Sequence, residues 1–165
     1  MIDLTPWQAC ACKKFDDIPK QCQGEYTIGE QGKSIRLIPK SGEHALAIVL
    51  DGCVMKDNDP KCDALFLYMS RTRKYSFLVE IKGSGDIRKA FHQLSHTSKR
   101  TEYNEIIKRF RQSDGKPVVS KFAVISNGML SKPELERLEK HYQIRVKKIL
   151  HCEATTPIPD LKSLL

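Results

Sequence analysis

The chain lacks any run of about 18 apolar residues, the length a helix needs to cross a bilayer. Met1 to Phe15 likewise lacks the basic start and apolar stretch of an export signal. The expectation is a soluble, cytoplasmic protein with no membrane partner. Internal repeats and low-complexity linkers are absent as well, so a single unit is expected rather than an array. Pro (8) and Gly (9) are sparse, and hydrophobic residues at 40% stand beside charged residues at 29%, which excludes disordered and fibrous chains. At 165 residues the chain suits one domain with one sizeable core: an N-terminal extension over 1–33, a core over 34–150 and a tail over 151–165.

Cysteine is present but not in a metal-binding pattern. Cys10, Cys12, Cys22, Cys53, Cys62 and Cys152 form neither the paired CxxC of a zinc ribbon nor the three-plus-one arrangement of iron–sulfur nucleases. Zinc and iron–sulfur clusters are therefore not expected. Without an export signal, free thiols are the favoured reading, with a zinc site or an oxidisable Cys53, Cys62 pair as alternatives.

What is present is a clear change of period along the chain. One strand is expected around Tyr26 to Ile28, followed by two short strands around Ile35, Leu37 and over Ala45 to Leu50. Ala64 to Met69 and Tyr75 to Lys82 are nearly continuous apolar runs, which predicts a hairpin of central strands covered on both faces. Ile87, Ala90, Phe91 and Leu94 then recur at helical spacing, predicting a helix over Asp86 to Thr97 with Asp86 as N-cap. A second helix is expected over Glu102 to Arg111 and a strand over Val118 to Ser126. Ser131 and Glu134 have capping-box spacing and start a third helix that runs to Tyr142. A last strand is expected over Ile144 to Leu150, with an extended tail beyond Cys152. The order implies an α/β fold: a three-layer α/β/α sandwich with a central mixed β-sheet flanked by helices.

Charges on the central strands carry the chemistry. Alternate residues of a strand share a face, so Glu80 and Lys82 project together while Val79 and Ile81 project to the other side. If the hairpin forms, Asp63 at the head of the preceding strand lies near Glu80. Carboxylates held together in an apolar strand are costly unless a cation compensates them. Asp63, Glu80 and the backbone carbonyl of Ile81 would make a hard oxygen site for Mg²⁺ or Mn²⁺. Lys82 beside it could orient an attacking water or stabilise charge on a phosphate, which suits metal-dependent phosphodiester hydrolysis.

Asp63, then Glu80-Ile81-Lys82, then a helix containing Gln93 resembles the PD-(D/E)XK nuclease superfamily, the restriction-endonuclease-like fold, over roughly Ser34 to Leu150. The resemblance implies an Mg²⁺-dependent endonuclease in which Asp63 and Glu80 bind the metal, Lys82 assists the nucleophilic water and Gln93 lines the site. Two features depart from the pattern: Cys62 stands where Pro is usual, and no helix bearing an extra Glu precedes the first strand. Asp51 and Glu43 are the candidates for a further acid. Cleavage of both strands by so small a domain implies a homodimer, by analogy.

Lys and Arg number 28 against 20 Asp and Glu, a net charge of +8, which favours a polyanionic partner. Nine cations against four acids fall between Gly83 and Ile125. Arg88, Lys89, Lys99, Arg100, Lys108, Arg109 and Arg111, together with Arg71, Arg73 and Lys74 of the hairpin tip, are therefore expected to contact a nucleic-acid backbone, DNA in preference to RNA. His92 and His96 stand at i and i+4, a zinc-compatible spacing, but no HExxH surrounds them, so solvent-facing histidines are expected. The competing reading is a non-catalytic nucleic-acid-binding or protein-interaction module on the same fold.

Overall fold

The computed structural model describes residues 2–15 and 17–165. Its elements follow as β1 (Thr27–Glu30), β2 (Lys33–Arg36), β3 (His44–Val49), β4 (Ala64–Met69), β5 (Lys74–Lys82), α1 (Ile87–Thr97), α2 (Thr101–Gln112), β6 (Val118–Ser126), α3 (Lys132–Tyr142) and β7 (Ile149–His151). Among the described residues no helix is long and apolar enough to cross a membrane.

The protein is mixed α/β. Strands β3 to β7 form one sheet in sequence order, antiparallel from β3 to β5 and parallel from β5 to β7. Parallel neighbours need long crossovers. These are supplied by α1 with α2, and then by α3. As the apolar runs predict, every residue of β4 except Met69 and every residue of β5 except Lys82 is buried.

Alternation along the strands divides the core into two. Leu65, Leu67 and Leu78 face the helices, packing with Phe91 and Leu94 of α1 and Ile106 and Phe110 of α2, with Leu135, Leu138 and Tyr142 of α3 at the margin. Phe66, Phe77, Val79 and Ile81 face the other way. Each fully buried Phe contributes about 2–3 kcal/mol by leaving water. All three helices lie on the first face, which corrects the expected α/β/α sandwich. The second face is covered by Ile28, Ile35 and Leu37 of the β1–β2 hairpin and by Leu161 and Leu164 of the C-terminal 3₁₀ turn. The tail is thus a packed layer and not an extended appendage.

Other departures have local causes. The strands around Ile35 and over His44–Val49 belong to different sheets, because Gln31 and Gly32 adopt positive φ (51° and 74°) and close a tight hairpin from β2 back to β1. Asp86 precedes α1 but its side chain makes no capping hydrogen bond. The capping box of α3 does form: Ser131 Oγ accepts from Glu134 N, and Glu134 Oε2 accepts from Ser131 N. The last strand is confined to Ile149–His151, since Glu139 Oε2 accepts the N–H groups of Val146 and Lys147 and Lys147 adopts φ 72°.

Four of the six cysteines are disulfide-bonded, Cys10 to Cys53 and Cys12 to Cys22, while Cys62 and Cys152 are free and buried. The expected free thiols and the Cys53, Cys62 pair are corrected accordingly. Such bonds persist in oxidising surroundings, so the cysteines give no support to a cytoplasmic location.

Candidate active site

Pairing of β4 with β5 ends at Ala64, opposite Val79. Where the backbone leaves the ladder, side chains take over its hydrogen bonds. The N–H of Asp63 is shared between Val79 O and Glu80 Oε2, each at 3.1 Å, and Asp63 Oδ2 accepts the N–H of Ile81 at 2.7 Å. Lys82 Nζ lies 3.1 Å from Glu80 Oε1. The structure therefore brings Asp63, Glu80, Ile81 and Lys82 together at one end of the central hairpin, with Glu80 1% and Asp63 9% exposed.

Burial, the largest influence, pushes both carboxyls up. Glu80 rises to about 7, held back by the Lys82 ammonium and by the Asp63 N–H. Asp63 rises further, because it faces the Glu80 charge and has only the Ile81 N–H to stabilise its anion. With one lysine between them, the carboxyls cannot both ionise without a further cation.

A third acid, absent from the sequence reading, joins them. The Glu30 side chain stands beside the Asp63 carboxyl, where its charge helps to raise that group, and it adds to the field on Glu80. Glu30 ends β1 at the Gln31-Gly32 turn. Its strand is anchored by the Gly29 N–H to Gln21 O bond (2.9 Å), the Cys22 to Ile28 bridge and the Cys12–Cys22 disulfide. The available signal was the pair Ile28, Glu30 immediately ahead of Gln31-Gly32.

Of the two expected extra acids, Asp51 is at this end of the sheet and Glu43 is not. Asp51 follows Leu50, whose N–H bonds Asp63 O at 2.9 Å, and its carboxylate lies 3.9 Å from Lys61 Nζ. Together with Glu30 it lines an open cleft of about 890 Å³. Glu43 precedes β3 at its far end, five strand steps or about 17 Å away. There Lys162 Nζ and the Lys40 N–H hold its carboxylate well below the usual range.

Gln93 braces the approach to Asp63. Its Nε2 donates to Lys61 O at 3.1 Å, while Oε1 is buried without a partner. One turn on, Thr97 Oγ1 accepts the Cys62 N–H at 2.9 Å. This flank of α1 thus fixes the two residues before Asp63.

Among the described residues no group of three or more His, Cys, Asp or Glu side chains is disposed as a complete metal ligand set. Mg²⁺ does not require one, since it takes one or two carboxylates and fills its shell with water and phosphate oxygens. Two convergent buried carboxyls, a third acid beside them and one ammonium make a hard-oxygen donor set that can ionise fully only with a further cation. That set fits Mg²⁺ or Mn²⁺.

The cations divide by position. Lys74 is not a backbone contact: it is 1% exposed, donates to Phe110 O (2.6 Å) and Ser113 Oγ (2.8 Å), and pairs with Asp114. It ties the C-terminus of α2 to the start of β5. Lys74→Met, which leaves these acceptors unpaired, should lower stability by about 2 kcal/mol, measured by urea unfolding; an unchanged midpoint would contradict this role. Arg100 is likewise committed, to Asp57 and Glu102, and Arg109 to Glu105 and Asp3. Arg71 and Arg73 are exposed on the β4–β5 tip, which the register places at the opposite end of the hairpin from Asp63, about 17 Å away. The Lys74 to Phe110 bond places Lys108 and Arg111 near that same end. Arg88 and Lys89, exposed in the first turn of α1 just after Lys82, and Lys99, exposed beyond its last turn, are the expected contacts nearest the carboxylates.

His92 is exposed as expected, whereas His96 is half-buried with Nδ1 unpartnered. Both lie on the flank of α1 that faces α3. Compared with known proteins, the chain matches no protein-family model, no curated protein and no solved structure.

Proposed function

We propose that the protein is a metal-dependent nuclease that hydrolyses phosphodiester bonds, those of DNA in preference to RNA. The observation that carries this reading is the convergence of Asp63, Glu80 and Lys82 at the point where β4 parts from β5. The antiparallel run β3 to β5, followed by a helical crossover to parallel β6, supports the strand, strand, helix order on which the resemblance to the PD-(D/E)XK superfamily rests.

Asp63 and Glu80, with the Ile81 carbonyl, would hold Mg²⁺ or Mn²⁺, and Glu30 stands close enough to Asp63 to add a donor. When bound, such an ion lowers the pKa of water and offsets charge on a phosphoryl oxygen. The chain's own groups do the rest. The Asp63 carboxylate is aimed by the Ile81 N–H, and Glu80 by the Asp63 N–H. Lys82, kept in place by Glu80, presents an ammonium to the attacking water or to the developing phosphate charge. Gln93 and Thr97 hold the segment that delivers Asp63.

The test is incubation of the purified protein with single- and double-stranded DNA and RNA, with Mg²⁺ or Mn²⁺ and in parallel with EDTA. Cleavage of at least one substrate, abolished by EDTA, is expected. Binding without product under every condition would favour a non-catalytic module and overturn the reading.

A further inference from the structure

The flank of α1 turned away from Asp63 forms a groove with α3. Along α1 it is edged by Arg88 and His92, which stand at i and i+4 and so share one stripe, and by Lys99 in the turn that follows the helix. Across it stand Arg137, His141 and Tyr142 of α3. Two adjoining cavities, of about 280 and 260 Å³, share His141 and Tyr142 and make the groove continuous. Arg88 to the last residue of α1, Thr97, spans about 14 Å. The Arg88 end adjoins the loop that follows Lys82.

Two properties of this groove point to a ligand. Among the described residues, Arg88, Lys99 and Arg137 have no carboxylate within ion-pair distance, in contrast to Lys74, Arg100 and Arg109. The one acid on its wall, Glu134, is engaged by Ser131 in the capping box and is near enough to Arg88 and Arg137 for both to lower its pKa, so one negative charge stands against three positive ones. Between these cations lies a platform of rings: Tyr142 has His141 edge-on at 4.7 Å and His92 tilted at 6.0 Å, with the histidines exposed and the tyrosine half-buried against Phe91. The surplus of cations would hold phosphates, and the exposed histidine rings with the half-buried tyrosine between them would take the faces of bases. Only unpaired nucleotides offer those faces, since duplex bases are stacked on each other.

We propose that the α1–α3 groove is a binding site for single-stranded nucleic acid, one helix width from the carboxylates and on the opposite flank of α1. It rests on the nuclease reading for the choice of a polynucleotide as the polyanion, and it adds a substrate class to that reading: a strand that is unpaired beside the site of cleavage. DNA and RNA share the required chemistry.

The test is fluorescence anisotropy in EDTA with labelled 12-nucleotide DNA and RNA strands and their duplexes. Single strands of one or both types should bind at least tenfold more tightly than either duplex. The double variant Arg88→Glu, Arg137→Glu should weaken single-strand binding at least tenfold, and Tyr142→Ala about tenfold, the loss of one stacked base. Because Tyr142 also packs on Phe91, the exposed His141→Ala is measured beside it and should weaken binding severalfold with an unchanged melting temperature. Lys40→Glu, exposed and remote, controls for net charge and should stay within twofold. Duplex binding equal to or tighter than single-strand binding, or groove variants within twofold of wild type, would overturn the site. The two readings fail separately: wild type that binds strands through the groove yet cleaves nothing with Mg²⁺ or Mn²⁺ sinks the nuclease and keeps the groove, whereas cleavage undiminished in the groove variants does the reverse.

Discussion

Lys82→Ala is expected to lower the single-turnover rate of Mg²⁺-dependent cleavage by at least about 100-fold, the scale on which one positioned donor or proton-transfer group acts. Lys82 occupies the last position of an otherwise apolar strand, its ammonium 3.1 Å from Glu80 Oε1 and its side chain 21% exposed. Such a lysine is shielded enough for its charge to act strongly and open enough to reach a substrate. Asp63→Asn should be at least as damaging, because it removes an anionic oxygen from the donor set while preserving the hydrogen bond to Ile81 N–H. Lys61→Ala serves as the contrast. Lys61 is near Asp51 and is hydrogen-bonded to Asp57 O and Asp59 O, so its loss should alter the rate only a few-fold. Retention of wild-type rates by a folded Lys82→Ala protein would remove the catalytic assignment altogether.

The central hairpin was legible because its pattern is unambiguous at short range. Continuous apolar runs on both sides of Ser70 to Lys74 specify buried neighbouring strands, and the two-residue period then dictates that Glu80 and Lys82 share a face. Asp63 follows from the register. Glu30 was hidden for the opposite reason: it enters from a separate two-stranded sheet whose place against Asp63 depends on a turn, a disulfide and the Gln21 backbone, none of which has a periodic signature. Cysteine pairing is similarly opaque, since spacing alone does not choose among partners.

The cationic residues show how sequence proximity misleads. Nine follow Lys82 closely in the chain, yet α2 runs back to the beginning of β5, where Lys74 receives its C-terminus. Several cations are thereby carried to the wrong end of the sheet, and Lys74, Arg100 and Arg109 are spent on internal pairs. The helices on one face and the hairpin with the C-terminal turn on the other were also not separable by pattern, because Leu161 and Leu164 lie in a short segment with no length for periodicity to develop.

Thermal stability measured in EDTA should fall as pH rises from about 5 to 8. Asp63 and Glu80, with ordinary values of 3.8 and 4.5, are both lifted in the folded chain, first of all by burial, Glu80 to about 7 and Asp63 beyond it. Above about pH 4.5 the unfolded chain has released these protons while the folded chain retains them, so the native state binds more protons and stability declines with pH until the folded groups ionise. The lift of Glu80 alone corresponds to about 3 kcal/mol between pH 4 and 8, and Asp63 acts in the same direction. Below pH 4 both states are protonated and this contribution is at its maximum. Glu80→Gln and Asp63→Asn should flatten the profile, and Asp63→Asn should raise the melting temperature at pH 8 while it eliminates cleavage. Mg²⁺ or Mn²⁺ should restore stability at pH 8 more than at pH 5, because only the ionised pair binds them well. A melting temperature in EDTA that is level or rising between pH 5 and 8, or a divalent ion that stabilises equally at both, would mean that the pair carries no uncompensated charge. The reason to place a cation there would then be gone.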